Sequence, residues 1–318
     1  MNLLFVGGGN MASALLGGLV ENAAGVTHIH VIEPTAAARD ALSTRYAAAL
    51  NKKNIMFSID AACAPGAFVA HHVATSAHTS AASFTTSNSA VSPAIAASSA
   101  SSASSAAALW VILAVKPQQM ESACVDSHAS VRACLAGGKL LSIAAGISTQ
   151  ALANWCGNDQ IVRAMPNTPA LVNRGITGLF AGQQISAATR DQAGQLMSAV
   201  GQVVWVDDES LMDAVTALSG SGPAYVFRFI EALAAGGQAL GLSAAQSETL
   251  AVETLEGALA LLKSSGETPA ALREKVTSKG GTTAAALASL DHDQFMTVVA
   301  NALVAARDRG AEMAKEFQ

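Results

Sequence analysis

Short apolar runs alternate with amphipathic stretches along the first part of the chain. Asn2–Val6 reads as a strand, glycines follow, and an apolar helix runs from about Met11 to Asn22. His28–Ile32 predicts a second strand and Ala36–Leu50 a second helix. Leu109–Val115 is continuously apolar and stops at Lys116-Pro117, the pattern of a central parallel strand covered on both faces. Leu140–Ala144 and Ile161–Ala164 predict further strands, and Ile176–Phe180 and Val203–Val206 would close the sheet. Strand–helix alternation of this kind predicts a doubly wound α/β sheet over residues 1–208. From about Ser210 the strands stop. Pro223–Leu240, Ser243–Ser264, Pro269–Thr277, Thr283–Leu290 and His292–Lys315 all read as helices, with Ser243 and Pro269 at helix starts. These helices are rich in Ala and Leu on several faces, so each must bury more than one side. An all-helical domain over 209–318, interlocked with a second copy as a homodimer or a higher oligomer built from dimers, is the expectation.

Composition narrows the function classes. Hydrophobic residues make up 51% and charged residues 13%, against a usual charged share of ~25%. That excludes a disordered polyelectrolyte. The net charge is −5 and no basic block stands out, which argues against nucleic acid as a partner. The four cysteines form no CxxC pair, and neither HExxH nor G-x-S-x-G occurs, so no metal is expected. No Lys or Arg precedes Arg39, and no apolar run reaches the ~18 residues of a membrane span. A cytoplasmic protein without membrane contact is the expectation. One stretch breaks the pattern: the 48 residues 61–108 hold 18 Ala and 12 Ser and no charge, which reads as a low-complexity expansion.

Chemistry is concentrated first at the N-terminus. Val6-Gly7-Gly8-Gly9-Asn10-Met11-Ala12 follows a strand and opens a helix, with Gly7, Gly9 and Ala12 satisfying G-x-G-x-x-G/A. Small residues let the backbone approach a pyrophosphate, and the helix start offers free N–H groups and partial positive charge. The second strand ends at Glu33-Pro34, where a carboxylate takes the ribose 2′-hydroxyl of NAD and repels the 2′-phosphate of NADP. Arg39, six residues on, opposes that preference, so the sequence leaves NADPH and NADH both open.

Six segments then point to one family. They are Phe5–Met11, Ala114-Val115-Lys116-Pro117-Gln118, Ser142-Ile143-Ala144-Ala145-Gly146, Arg163–Ala170, Asp213–Tyr225 and Val276–Thr283, in order along nearly the whole chain. In these segments the chain resembles pyrroline-5-carboxylate reductase, the last enzyme of proline biosynthesis. The resemblance implies a Rossmann-type domain followed by a dimerisation and substrate-binding domain. It implies that Val6, Gly7, Gly8, Gly9, Asn10 and Met11 bind the pyrophosphate, that Ala114, Val115, Lys116 and Pro117 line the nicotinamide ribose, and that Ala144, Ala145 and Gly146 lie beside it. It also implies a cofactor-contacting Asn88, an acidic Glu209 near the substrate site, and a carboxylate-holding set of Ser278, Thr282 and Thr283. Lys279 stands where the family commonly has proline.

The implied reaction is hydride transfer from NADPH or NADH to the carbon of a cyclic C=N bond in a small imine acid. A protonated imine needs neither a nucleophilic residue nor a metal; the protein positions two rings and supplies electrostatics. Ser278-Lys279-Gly280-Gly281-Thr282-Thr283 precedes an Ala-rich helix, whose first N–H groups suit an anion. Thr216 is the candidate hydroxyl beside the ring nitrogen, with Thr283 the second catalytic candidate; a helical threonine also back-bonds to its own carbonyls. Ser219-Gly220-Ser221-Gly222-Pro223 would separate the helix of Thr216 from the next. Lys116 reads as a loop and ribose-contact residue, and Arg163 as a structural charge at a strand end. Two other readings stand beside this one: a β-hydroxyacid dehydrogenase, whose helical lysine motif has no match around Lys263 or Lys275, and a nucleotide sensor that has lost catalysis.

Overall fold

Alternate residues of the first strand leave for opposite sides of one sheet. In β1 (Asn2–Val6), Leu3 and Phe5 join one hydrophobic cluster, and Leu4 and Val6 the other. β4 (Leu109–Leu113) divides in the same way, Trp110 and Ile112 against Val111 and Leu113. The period of two along a strand buried on both faces produces this split. The computed structural model describes residues 1–22, 25–61 and 108–316. The low-complexity expansion and Asn88 lie outside the described residues.

Eight strands form one sheet in the order β3-β2-β1-β4-β5-β6-β7-β8. Besides β1 and β4 these are β2 (His28–Ile32), β3 (Met56–Asp60), β5 (Lys139–Ser142), β6 (Ile161–Met165), β7 (Gly175–Ala181) and β8 (Gly201–Trp205). All pairings are parallel except β6 with β7. The first cluster is covered by α1 (Asn10–Asn22) and α2 (Ala36–Lys52), and by a helix between β7 and β8 that is numbered α6 (Ala187–Ser198) in chain order. The second cluster is covered by α3 (Met120–Val125), α4 (Ala129–Gly137) and α5 (Thr149–Cys156). The fold is therefore α/β and doubly wound. Strand order reverses between β1 and β4, where open α/β sheets place their ligands. β3 was not among the expected strands: Phe57 and Ile59 pack inward, but the strand has only five residues, lies at the sheet edge and exposes Met56.

The remaining elements are helical: α7 (Leu211–Val215), a π-helical turn over Thr216–Gly220, α8 (Gly222–Ala239), α9 (Ala244–Ser265), α10 (Pro269–Lys275), α11 (Thr282–His292) and α12 (Phe295–Glu316). Ser243 starts α9 through a reciprocal capping box with Gln246. The chain forms two units, Met1–Met212 with the residues from Met313 on, and Asp213–Glu312. Glu209 lies in the first of these units. Within the second unit, α8, α11 and α12 contain no buried residue, and Phe227, Leu240, Met296 and Val298 are exposed. Helices this apolar cannot stand in water alone; they are half of an interface. Among the described residues no helix is long and apolar enough to cross a membrane, and no cluster of His, Cys, Asp and Glu could hold a metal ion.

Candidate active site

The glycine loop is pinned between two strand ends. Gly7 N donates to Ile32 O at 2.8 Å, and Ala114 N donates to Val6 O at 2.8 Å. Gly7 has φ +100°, and a Cβ there would sit 2.8 Å from the backbone carbon and oxygen of Ala114 and 2.9 Å from Val115 Cγ1. Only glycine satisfies both the left-handed conformation and the close approach. A Cβ on Gly8 would meet Leu42 Cδ1 at 2.8 Å and Glu33 Cβ at 3.1 Å. Gly9 differs: nothing lies within 4 Å of its Cβ position. Its space is open at the N-terminus of α1, which begins at Asn10 and has no acidic residue in its first turn. An uncrowded glycine backed by a helix start is a cradle that fits a pyrophosphate. Val6, Asn10 and Met11 frame it.

Glu33, at the end of β2, has a defined carboxylate. Gly8 N donates to Oε2 and Thr35 N to Oε1, both at 2.8 Å. Partial burial pushes its pKa up, but the Thr35 and Gly8 amides, aided by the Thr35 side chain and the charge of Arg39, outweigh that and hold it below the ordinary carboxylate value. Arg39 Nη1 donates to the carbonyls of Glu33 and Pro34, at 2.9 and 2.7 Å.

Ala114 and Val115 follow β4 beside Gly7. Lys116 is extended and leads into a short 3₁₀ turn over Pro117–Gln119. Ala144 and Ala145 follow β5, and Gly146 turns the chain with φ +74°. The ends of β1, β2, β4 and β5 thus bring the sequence-predicted nucleotide residues to one edge of the sheet, Asn88 excepted.

Glu209 belongs to a different local arrangement. Its Oε1 accepts from Thr149 N at 2.7 Å and lies 3.1 Å from Arg163 Nη1, and its Oε2 accepts from Thr149 Oγ1 at 2.6 Å. Arg163 is buried in β6, so its charge needs this partner. Glu209 therefore fastens the start of α5 to β6. Thr149 escaped the sequence reading; the Ser148-Thr149 helix start was its only signal, and Ser148 caps through Ala151 N.

In the helical unit, Thr216 opens the π turn, and its carbonyl accepts from Ser221 N at 2.8 Å. Ser219 Oγ donates to Val215 O at 2.9 Å. Such bulges recur at functional sites because they redirect backbone groups. α8 restarts at Gly222 with Pro223 in its first turn, so the expected break at Ser219–Pro223 falls on the end of the π turn and the start of α8.

The Ser278–Thr283 loop leads into α11. Gly280 takes φ +74°, and Gly281 N donates to Ser278 O at 3.0 Å. A Cβ on Gly281 would collide with Ser278 Oγ. Gly281 is the N-cap and supplies no side chain to the first turn of α11. The first turn of α11 is thus without a side-chain cap, and Ser278, Thr282 and Thr283 stand at its start in the sequence, a setting whose free N–H groups suit an anion. Lys279 is exposed.

Known proteins match this chain in sequence and in fold. The family model for pyrroline-5-carboxylate reductase dimerisation matches residues 209–313. The chain is 37% identical over 316 residues to the pyrroline-5-carboxylate reductase of Pseudomonas aeruginosa, covering 99% of this chain and 97% of that protein. It is 34% identical over 321 residues to that of Pasteurella multocida, covering 99% and 98%. A solved pyrroline-5-carboxylate reductase from Coxiella burnetii superposes with TM-score 0.74 at 30% identity over 98% of both chains. The Plasmodium falciparum enzyme, solved with NADP bound, superposes with TM-score 0.69 at 25% identity over 99% of this chain and 98% of that one.

Proposed function

The chain belongs to the pyrroline-5-carboxylate reductase family, and from that premise we propose how its own residues carry out the NAD(P)H-dependent reduction of 1-pyrroline-5-carboxylate to L-proline, and that it does so in the cytoplasm as a homodimer or an assembly of dimers, without nucleic acid or membrane partners. The observation that carries the reading is that each unit has its own helix start suited to an anion. One is the open Gly9 cradle at the start of α1 for a pyrophosphate; the other is the uncapped start of α11 for a carboxylate.

Bound reduced nicotinamide supplies the hydride that adds to the imine carbon. The amides of Gly9, Asn10 and Met11 would hold the pyrophosphate, with Val6, Gly7 and Gly8 shaping the loop through the bonds of Gly7 to Ile32 and Gly8 to Glu33, and Glu33 would receive the adenosine ribose. Ala114 to Pro117 would line the nicotinamide ribose, and Ala144, Ala145 and Gly146, all small, would lie beside it. Ser278, Thr282 and Thr283 orient the substrate through its carboxylate, and Thr216 donates or accepts at the ring nitrogen. A protonated imine is already electrophilic, so orientation and exclusion of water supply most of the acceleration. Glu209 contributes by holding α5 against β6 near the start of the helical unit rather than by proton transfer.

Thr283→Ala tests the assignment. The expected result is an apparent KM for pyrroline-5-carboxylate raised about tenfold, the size of one lost hydrogen bond to a charged group, with nucleotide affinity unchanged. An unchanged KM, or a gain in proline formation, contradicts the site. A nucleotide sensor would show no proline formation in either form.

A further inference from the structure

We infer that Glu33 makes this chain prefer NADH to NADPH, its carboxylate being the seat of the adenosine ribose 2′-hydroxyl. The inference rests on the dinucleotide reading above and goes further, to which dinucleotide is used. Three observations carry it.

First, the carboxylate is fixed. Its two oxygens each accept one backbone N–H, from Gly8 and from Thr35. Because Gly8 belongs to the pyrophosphate cradle, the same bond sets the distance between Glu33 and the nucleotide. Second, the carboxylate keeps accepting capacity and has nothing to donate. An ionised carboxylate offers about four lone-pair sites, of which two are used here. Ribose hydroxyls can donate to the others, whereas a phosphate dianion can only repel. Third, the described residues that follow Glu33 do not compensate. From Glu33 to Leu42 the charged residues are Glu33, Arg39 and Asp40. Arg39 Nη1 is engaged by the carbonyls of Glu33 and Pro34, which holds the guanidinium against the strand end. The Thr35 amide, which a 2′-phosphate would otherwise meet ahead of α2, is already taken by Glu33.

The test is direct titration of the purified full-length chain with NADH and with NADPH, followed by nicotinamide fluorescence, alongside kcat/KM for each. Wild type is expected to bind NADH about tenfold to a hundredfold more tightly, the range for losing a charge-assisted hydrogen bond. Glu33→Ser, which removes charge and bulk, should shrink that ratio at least tenfold, and the isosteric Glu33→Gln should move it the same way should the serine variant misfold. Equal or tighter NADPH binding by wild type overturns the inference, more so if Arg39→Ala selectively abolishes it, since Arg39 would then be the phosphate clamp. A wild-type chain that binds neither nucleotide overturns the dinucleotide reading together with it, whereas NADPH-preferring turnover would leave the reductase reading intact.

Discussion

Arg163 and Glu209 form an ion pair of 3.1 Å in which the arginine side chain is 7% exposed and the glutamate 26%. Removing the glutamate leaves a buried guanidinium without its carboxylate and frees the first amide of α5. Glu209→Ala is expected to cost about 2 to 3 kcal/mol, below the full penalty for a buried pair because Glu209 is partly solvated. Urea denaturation measures it. If instead the midpoint is unchanged and only KM for the imine acid rises, Glu209 acts on substrate.

Gly7 and Gly9 separate folding from binding. A methyl at Gly7 collides with Ala114 backbone and demands a left-handed alanine, while one at Gly9 meets nothing within 4 Å. Gly7→Ala should therefore lower the melting temperature by several degrees. Gly9→Ala should leave it within about a degree and still weaken nucleotide binding tenfold or more, since the added methyl occupies the space a pyrophosphate needs. A Gly9→Ala chain with full nucleotide affinity would place the pyrophosphate elsewhere.

Phe229 and Phe295 stack obliquely with centroids 6.3 Å apart, and both rings are part exposed in a groove with Tyr225 and Val299. In a covered interface a charge here is intolerable. Phe229→Asp should yield monomers by light scattering and lose turnover. A strictly monomeric variant with full activity would contradict the need for the assembly.

His30 is buried, with Nδ1 2.7 Å from Ser58 Oγ and Nε2 3.5 Å from Asp60 Oδ2. Burial lowers its pKa and the nearby Asp60 partly restores it. The unfolded chain therefore takes up this proton first, near the ordinary value of about 6.5, while the fold resists it to lower pH. Stability should decline as pH falls from about 7 toward 5, before most carboxylates titrate. His30→Asn should flatten that decline; an equal slope in the variant would assign it to other groups.

Much of the architecture was legible because periodicity carries it. Leu3 and Phe5 against Leu4 and Val6 is a pattern of two that any reader of the chain can see, and the glycine loop declared its strand–loop–helix setting. β3 was not legible: Phe57 and Ile59 alternate inward over five residues only, and the apolar Met56 is exposed at the sheet edge. The reversed direction of β7 depends on pairing with β6, which no local pattern encodes. The site divides the same way. The Gly7–Met11 and Ser278–Thr283 segments are local and readable in sequence. The Thr149–Glu209 and Arg163–Glu209 contacts span 60 and 46 residues and exist only once the chain has folded. The π turn at Thr216 could be read only as an interruption, because Ser219, Gly220, Ser221 and Gly222 mark a break and not how the backbone will turn.

The most direct measurement is the loss of nicotinamide absorbance when the purified oligomer receives pyrroline-5-carboxylate, run in parallel with NADH and NADPH and with proline counted in the product. The account predicts turnover, one proline for each reduced nicotinamide consumed. A folded oligomer that binds nucleotide yet forms no proline with either cofactor would contradict it.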